Sequence, residues 1–179
     1  ISIRDRVTNR GNTSSPHMLM YHCNFGYPLV DEGTEIIYNG TCKSRGMEMD
    51  DVLFNGADFK TCKPVLDAHS GGGEACGFID MEADGEDRCT AGLINRRLGL
   101  GVMMKYSRQQ LPCLTNWQHW GAGEYVCALE PGTNFPVGQR QAKEQGELIM
   151  LEPGESRSYE LEFEVLSDES RINEFPDIG

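Results

Sequence analysis

Ser158-Tyr159-Glu160-Leu161-Glu162-Phe163-Glu164-Val165-Leu166 alternates strictly between apolar and acidic side chains. Successive residues of a strand point to opposite faces, so Tyr159, Leu161, Phe163 and Val165 share one face and Glu160, Glu162 and Glu164 the other. Immediately before it, Leu151-Glu152-Pro153-Gly154-Glu155 is the turn that feeds the strand. Further back, Ala91–Asn95 and Leu98–Tyr106 read as a hairpin closed by Arg96-Arg97. No segment keeps a helical apolar period for more than about two turns. Short runs bounded by Gly, Pro, Asn and Asp recur instead, and there are 21 Gly residues. Strands are predicted near 1–8, 18–25, 34–38, 60–66, 74–82, 88–95, 98–106, 113–119, 123–130, 147–151 and 157–166. The fold class is all-β and antiparallel, one sandwich domain over 1–166 followed by a polar, loose tail over 167–179.

The 179 residues suffice for one domain with a sizeable core. The chain opens on Ile1-Ser2-Ile3 rather than Met and alternates from the start, which reads as a piece of something longer. A net charge of −12 argues against nucleic acid and anionic membrane as partners. No apolar run approaches the ~20 residues of a membrane helix, and no signal-like start is present. Seven Cys residues, at 23, 42, 62, 76, 89, 113 and 127, show no paired metal-site spacing, and the prediction is a reduced, cytoplasmic protein. The sequons at Asn12 and Asn39 would matter only in a secreted protein. Asp80-Met81-Glu82-Ala83-Asp84-Gly85 starts like a calcium loop but has Ala91 where the twelfth-position Glu belongs, so it reads as a solvated turn. Gly71-Gly72-Gly73 lacks the following helix and Lys of a phosphate loop. Neither a metal nor another cofactor is predicted, and the sequence leaves the oligomeric state open.

Three stretches carry candidate chemistry. In Tyr125-Val126-Cys127-Ala128-Leu129-Glu130-Pro131-Gly132, an apolar strand ends on a carboxylate and is then stopped by Pro and Gly. A Glu held there is partly desolvated, which raises its pKa and suits it to take a proton near neutral pH; the plainer reading is a solvated turn residue. In Tyr21-His22-Cys23-Asn24-Phe25-Gly26, His22 and Asn24 share a strand face beside turn residues, against the plainer reading of a core His bonded to a carbonyl. Cys113-Leu114-Thr115-Asn116-Trp117-Gln118-His119-Trp120 concentrates both Trp residues with amide donors, a combination that suits sugars: ring faces for C–H patches, amides for hydroxyls. Asn24, Asn116, Trp117 and Gln118 are the predicted substrate contacts, and Trp117 or Trp120 is expected to line the cleft.

Leu129-Glu130-Pro131 through Phe135-Pro136, then Leu151-Glu152-Pro153-Gly154-Glu155 and the alternating last strand, resemble the galactose mutarotase (aldose 1-epimerase) superfamily. His22-Cys23-Asn24-Phe25 is similar to that family's N-H-x-Y-F-N segment, and Val7-Thr8-Asn9-Arg10-Gly11 to the strand and turn before it. The resemblance extends to an aldose-1-epimerase-like bacterial branch with H-M-L-x-Y-H-x-N-F-G-x-P-L-x-D-E-G and L-E-P-G signatures. It implies a β-supersandwich, of which this chain would be the C-terminal half, and a small-molecule sugar as partner. By the same resemblance Glu130 stands where the family has its general base and His22 where it has its general acid. Pro131-Gly132 replaces the Gln after the family's Glu motif, and the family's substrate Gln falls at about Thr115 or Asn116. A second His and a sugar-binding Arg belong to the family's first half. Two other outcomes stay open: a carbohydrate-binding module without chemistry, and a structural piece of a larger β protein.

Overall fold

The computed structural model describes residues 1–50 and 59–175. Two five-stranded antiparallel sheets face each other. The first runs β1 (Ser2–Thr8), β12 (Ser156–Leu166), β8 (Leu100–Ser107), β7 (Arg88–Asn95), β4 (Glu35–Tyr38). The second runs β3 (Asn24–Phe25), β10 (Glu124–Gly132), β9 (Cys113–Gly121), β6 (Ala75–Met81), β5 (Gly40–Ser44). A small ribbon pairs β2 (Ser15–His17) with β11 (Ile149–Leu151). Alternation decides what lies between the sheets. Ile36, Tyr38, Ala91, Leu93, Met104, Tyr106, Tyr159 and Leu161 come inward from the first, and Ile79, Met81, Leu114, Trp120, Cys127 and Leu129 from the second.

The hairpin of β7 and β8 forms, but its loop has four residues rather than two, because Asn95 pairs with Leu100. The Asn95 side chain accepts the Leu98 N–H at 3.0 Å and Gly99 takes φ +66°, which together close the turn. Arg96 and Arg97 point outward to Glu35 and Asp31. Of the expected strand over 18–25 only a bridge at Met20 and β3 form, with β2 ending just before it, and over 60–66 only a bridge between Glu35 and Thr61 appears. Strand β5 was not foreseen. It follows a corner at Gly40 (φ +150°) where the chain passes from one sheet to the other; a Cβ there would lie 2.3 Å from the Asp80 carbonyl oxygen.

The expected loose tail is ordered through Phe175. Asp168 accepts the Ser170 and Arg171 N–H groups and starts helix α2 (Glu169–Glu174), which follows the earlier short helix α1 (Gln139–Glu144). Ile172 and Phe175 pack with Ile94, Met103 and Leu166 on the outer face of the first sheet. Gly92 lies beneath this contact, where a Cβ would meet the Phe175 ring at 2.8 Å. The same geometry corrects the reading of β12: Leu166 is buried under α2, while Val165 is exposed although it shares the parity of Tyr159 and Leu161.

Candidate active site

The outer face of the second sheet is the counterpart of the one under α2, and its residues follow from the strand register. Glu130 pairs with Thr115, Thr115 with Phe78, and Phe78 with Lys43, making one cross-strand row. The next row holds Asn24, Ala128, Trp117 and Cys76. Residues 19–25 run antiparallel beside β10, through Tyr21 N–H to the Pro131 carbonyl at 3.0 Å and Leu129 N–H to the Cys23 carbonyl at 3.1 Å. That register carries His22 to Glu130, and His22 Nε2 lies 2.9 Å from Glu130 Oε1. The two side chains, 58% and 4% exposed, join a wet imidazole to a buried carboxylate.

The contact is close without being an aligned hydrogen bond: Oε1 of Glu130 has no hydrogen-bond partner among the described residues. Burial raises the Glu130 pKa above the ordinary carboxylate value; His22 works against that shift and the Glu74 charge adds to it. An oxygen that is buried, unbonded and easily protonated is primed to accept a proton from whatever reaches it.

Glu74, just before β6, is the neighbouring carboxylate, and no local signal in the sequence marks it. It accepts hydrogen bonds from Arg45 Nη1 and from Trp117 Nε1, each 2.5 Å long. Burial pushes the Glu74 pKa up, but these two donors outweigh it and leave it lowered, so Glu74 stays ionised where Glu130 is raised. Arg45 is itself fixed by Asp50, which receives its Nε at 3.1 Å and Nη2 at 3.0 Å, and also the Cys76 N–H at 2.7 Å. This chain of bonds holds the half-buried Trp117 ring in place. The ring lies parallel to His119 (centroids 5.7 Å apart, 5° between planes), and His119 stacks on His69. His119 Nδ1 donates to the Gly73 carbonyl at 2.5 Å. Beside Trp117, burial pushes the Cys76 thiol up to about 12, so it stays protonated and is not a nucleophile at neutral pH.

Of the predicted contacts, Asn24 and Trp117 share the face of His22 and Glu130. Asn116 and Gln118 do not. They have the parity of Leu114 and Trp120, are fully buried between the sheets, and spend their amides there: Asn116 Nδ2 on the Ala128 carbonyl at 2.9 Å, Gln118 Nε2 on the Phe59 carbonyl at 2.9 Å and on Asn116 Oδ1 at 2.6 Å. A ligand on the outer face cannot touch them. Trp120 is equally excluded, with no exposed surface and its ring packed on Tyr125.

Two facing antiparallel sheets in this order form a galactose mutarotase-like β-sandwich. The chain belongs to the family described as "Domain of unknown function (DUF4432)", which matches residues 1–165. A candidate aldose 1-epimerase from Klebsiella pneumoniae superposes with a TM-score of 0.88 at 23% identity, over 99% of this chain and 45% of that one. A galactose mutarotase-like protein from Clostridium acetobutylicum (TM-score 0.58, 14% identity) aligns over 92% of this chain and 52% of its own. For a candidate aldose 1-epimerase from Escherichia coli K12 the figures are 0.58, 18%, 92% and 55%. The chain therefore spans about half the length of these structures, and at such identities the likeness is one of fold. No curated protein matches it.

Proposed function

We propose that the outer face of the second sheet binds an aldose and interconverts its anomers, with Glu130 as general base and His22 as general acid. The observation that carries this reading is the buried, unbonded Glu130 oxygen 2.9 Å from an exposed imidazole. Mutarotation asks for such a pair, because the anomeric hydroxyl and the ring oxygen sit on the same carbon. Glu130 takes the hydroxyl proton while His22 gives one to the ring oxygen. The C1–ring oxygen bond breaks, the open aldehyde rotates about C1–C2, and closure from the other face returns both protons. Each transfer contributes on the order of 10²–10⁴ in rate. Trp117 offers an aromatic edge to the sugar C–H surface, and Asn24, exposed in the neighbouring row, offers an amide. The likeness to candidate aldose 1-epimerases supports a sugar as ligand, and seven free cysteines fit a reducing, cytoplasmic setting.

A sugar-binding module without chemistry is the second reading. The contact between His22 and Glu130 favours it, since the two groups must part to admit a hemiacetal. Polarimetry on freshly dissolved α-anomers of a panel of aldoses separates the two. Exchange catalysed by the full-length protein and lost in Glu130→Gln supports the enzyme. Binding of a sugar with no exchange, or unchanged exchange in Glu130→Gln, removes it.

A further inference from the structure

A second feature of the molecule is a cavity that lies away from Glu130. It measures about 630 Å³ and opens farther along the same sheet, where β5, β6 and the start of β9 meet the turn after β8, the segment after β10, and β12. Lys43 on its rim belongs to the same cross-strand row as Glu130, three strand spacings away, or roughly 14 Å at ~4.8 Å per spacing. Phe78 stands between them, stacked on Phe135 with centroids 4.5 Å apart and 17° between planes. Neither Glu130 nor His22, Glu74 or Trp117 lines it, so this is a separate compartment.

Its charge runs against the rest of the chain. The net charge is −12, yet three cations, Lys43, Arg108 and Arg157, meet only two acids, Asp80 and Glu147. Arg108 is taken up by Asp80 at 2.9 Å. The Lys43 and Arg157 side chains have no ion pair or hydrogen bond among the described residues, which leaves two uncommitted cations facing one carboxylate. The wall is built in advance: Thr133 bonds to Asn134, whose Nδ2 donates to the Glu147 carbonyl at 2.7 Å.

We propose that this cavity binds a small organic anion, a phosphate monoester or carboxylate on a ring-shaped body. Lys43 and Arg157 hold the anionic group, and the Phe78–Phe135 pair takes the ring. Both cations are long side chains on the wall of one cavity, and an aromatic pair in that wall supplies the apolar contact for a ring-shaped body. The assignment is independent of the proposed reaction at Glu130.

Calorimetric titration of the full-length protein with phenyl phosphate tests it, with benzoate as the carboxylate arm and phenol and inorganic phosphate as the two halves of the probe. Phenyl phosphate or benzoate is expected to bind more tightly than either half, and the preferred anion names the source. Raising the salt concentration should weaken binding. Lys43→Met and Arg157→Met should each weaken it about fivefold, and the double variant more than either. Lys43 and Arg157 are exposed, so these variants should keep the wild-type circular dichroism. Proton NMR gives a readout free of substitutions: contacts from the phenyl ring to Phe135 are expected. Glu130→Gln should leave the affinity unchanged. Absence of binding by both anions, wild-type affinity in the double variant, loss of binding in Glu130→Gln, or ring contacts to Trp117 in place of Phe135 would each overturn the proposal.

Discussion

The two sheets present outer faces of opposite character. On the first, Ile94, Met103 and Leu166 are closed over by Ile172 and Phe175. On the second, Glu130, Glu74, Trp117 and His22 occupy equivalent outward positions with no element laid across them in the described residues. Hydrophobic outward residues recruited a cap from the chain's own end. Polar outward residues instead organised one another through Asp50, Arg45 and Glu74. The two faces solve different problems: one is covered to remove apolar surface from water, the other sets a buried carboxylate of raised pKa behind an exposed imidazole.

The contrast breaks most visibly at the open face. Glu130→Gln keeps the volume and hydrogen-bond reach of the side chain but cannot accept the anomeric proton. Anomer exchange, followed by saturation-transfer NMR, should fall by about 10²–10⁴ while sugar binding persists. Next in size is the covered face. Phe175→Ala should cost about 3–5 kcal/mol in urea denaturation, with the exchange rate per folded molecule unchanged. A fall in that rate would show that the two faces are coupled through the sandwich. Smaller again is Trp117→Phe, which removes the Nε1–H that Glu74 accepts and trims the indole to a phenyl ring. A loss of about 1 kcal/mol in sugar affinity is expected, because the ring keeps its place less firmly.

The subtlest test uses pH. Burial raises the Glu130 pKa in the folded state from an ordinary value of 4.5, so folding favours the protonated form. Its contribution to stability is complete at acid pH below the ordinary value and is lost as pH climbs through the folded value. Glu130→Gln, which never ionises, should therefore match wild type in Tm at acid pH and gain on it as pH rises to neutrality. Wild type gaining on the variant instead would mean that His22 outweighs burial.

How much of this could be read beforehand depended on the range of the interaction. The strict alternation of β12 and the paired runs of β7 and β8 were legible because a period of two is a local pattern. The four-residue loop between them was not, since it turns on the Asn95 side chain catching Leu98 N–H, which Arg96-Arg97 conceals. β5 escaped because its existence depends on a change of sheet at Gly40, and α2 because two apolar residues three apart make no period until Ile94 and Met103 receive them. At the site, His22 and Glu130 stood out as polar residues ending apolar runs, and the register joins them. Asn116 and Gln118 stand out by composition alone, and their shared parity with Leu114 turns both inward. Glu74 and Arg45 are 29 residues apart, and only the pairing of β5 with β6 makes them neighbours.

Trp117 and Trp120, three residues apart on β9, end on opposite sides of the sheet, one half-exposed with its N–H on a carboxylate and the other sealed in the core. The molecule thus carries two intrinsic fluorophores with separate duties. Iodide and acrylamide should reach Trp117 and leave Trp120 emitting at short wavelength, so quenching reads occupancy of the outer face. The blue component, insensitive to ligand, follows global unfolding, and a single emission spectrum separates the two events without any label.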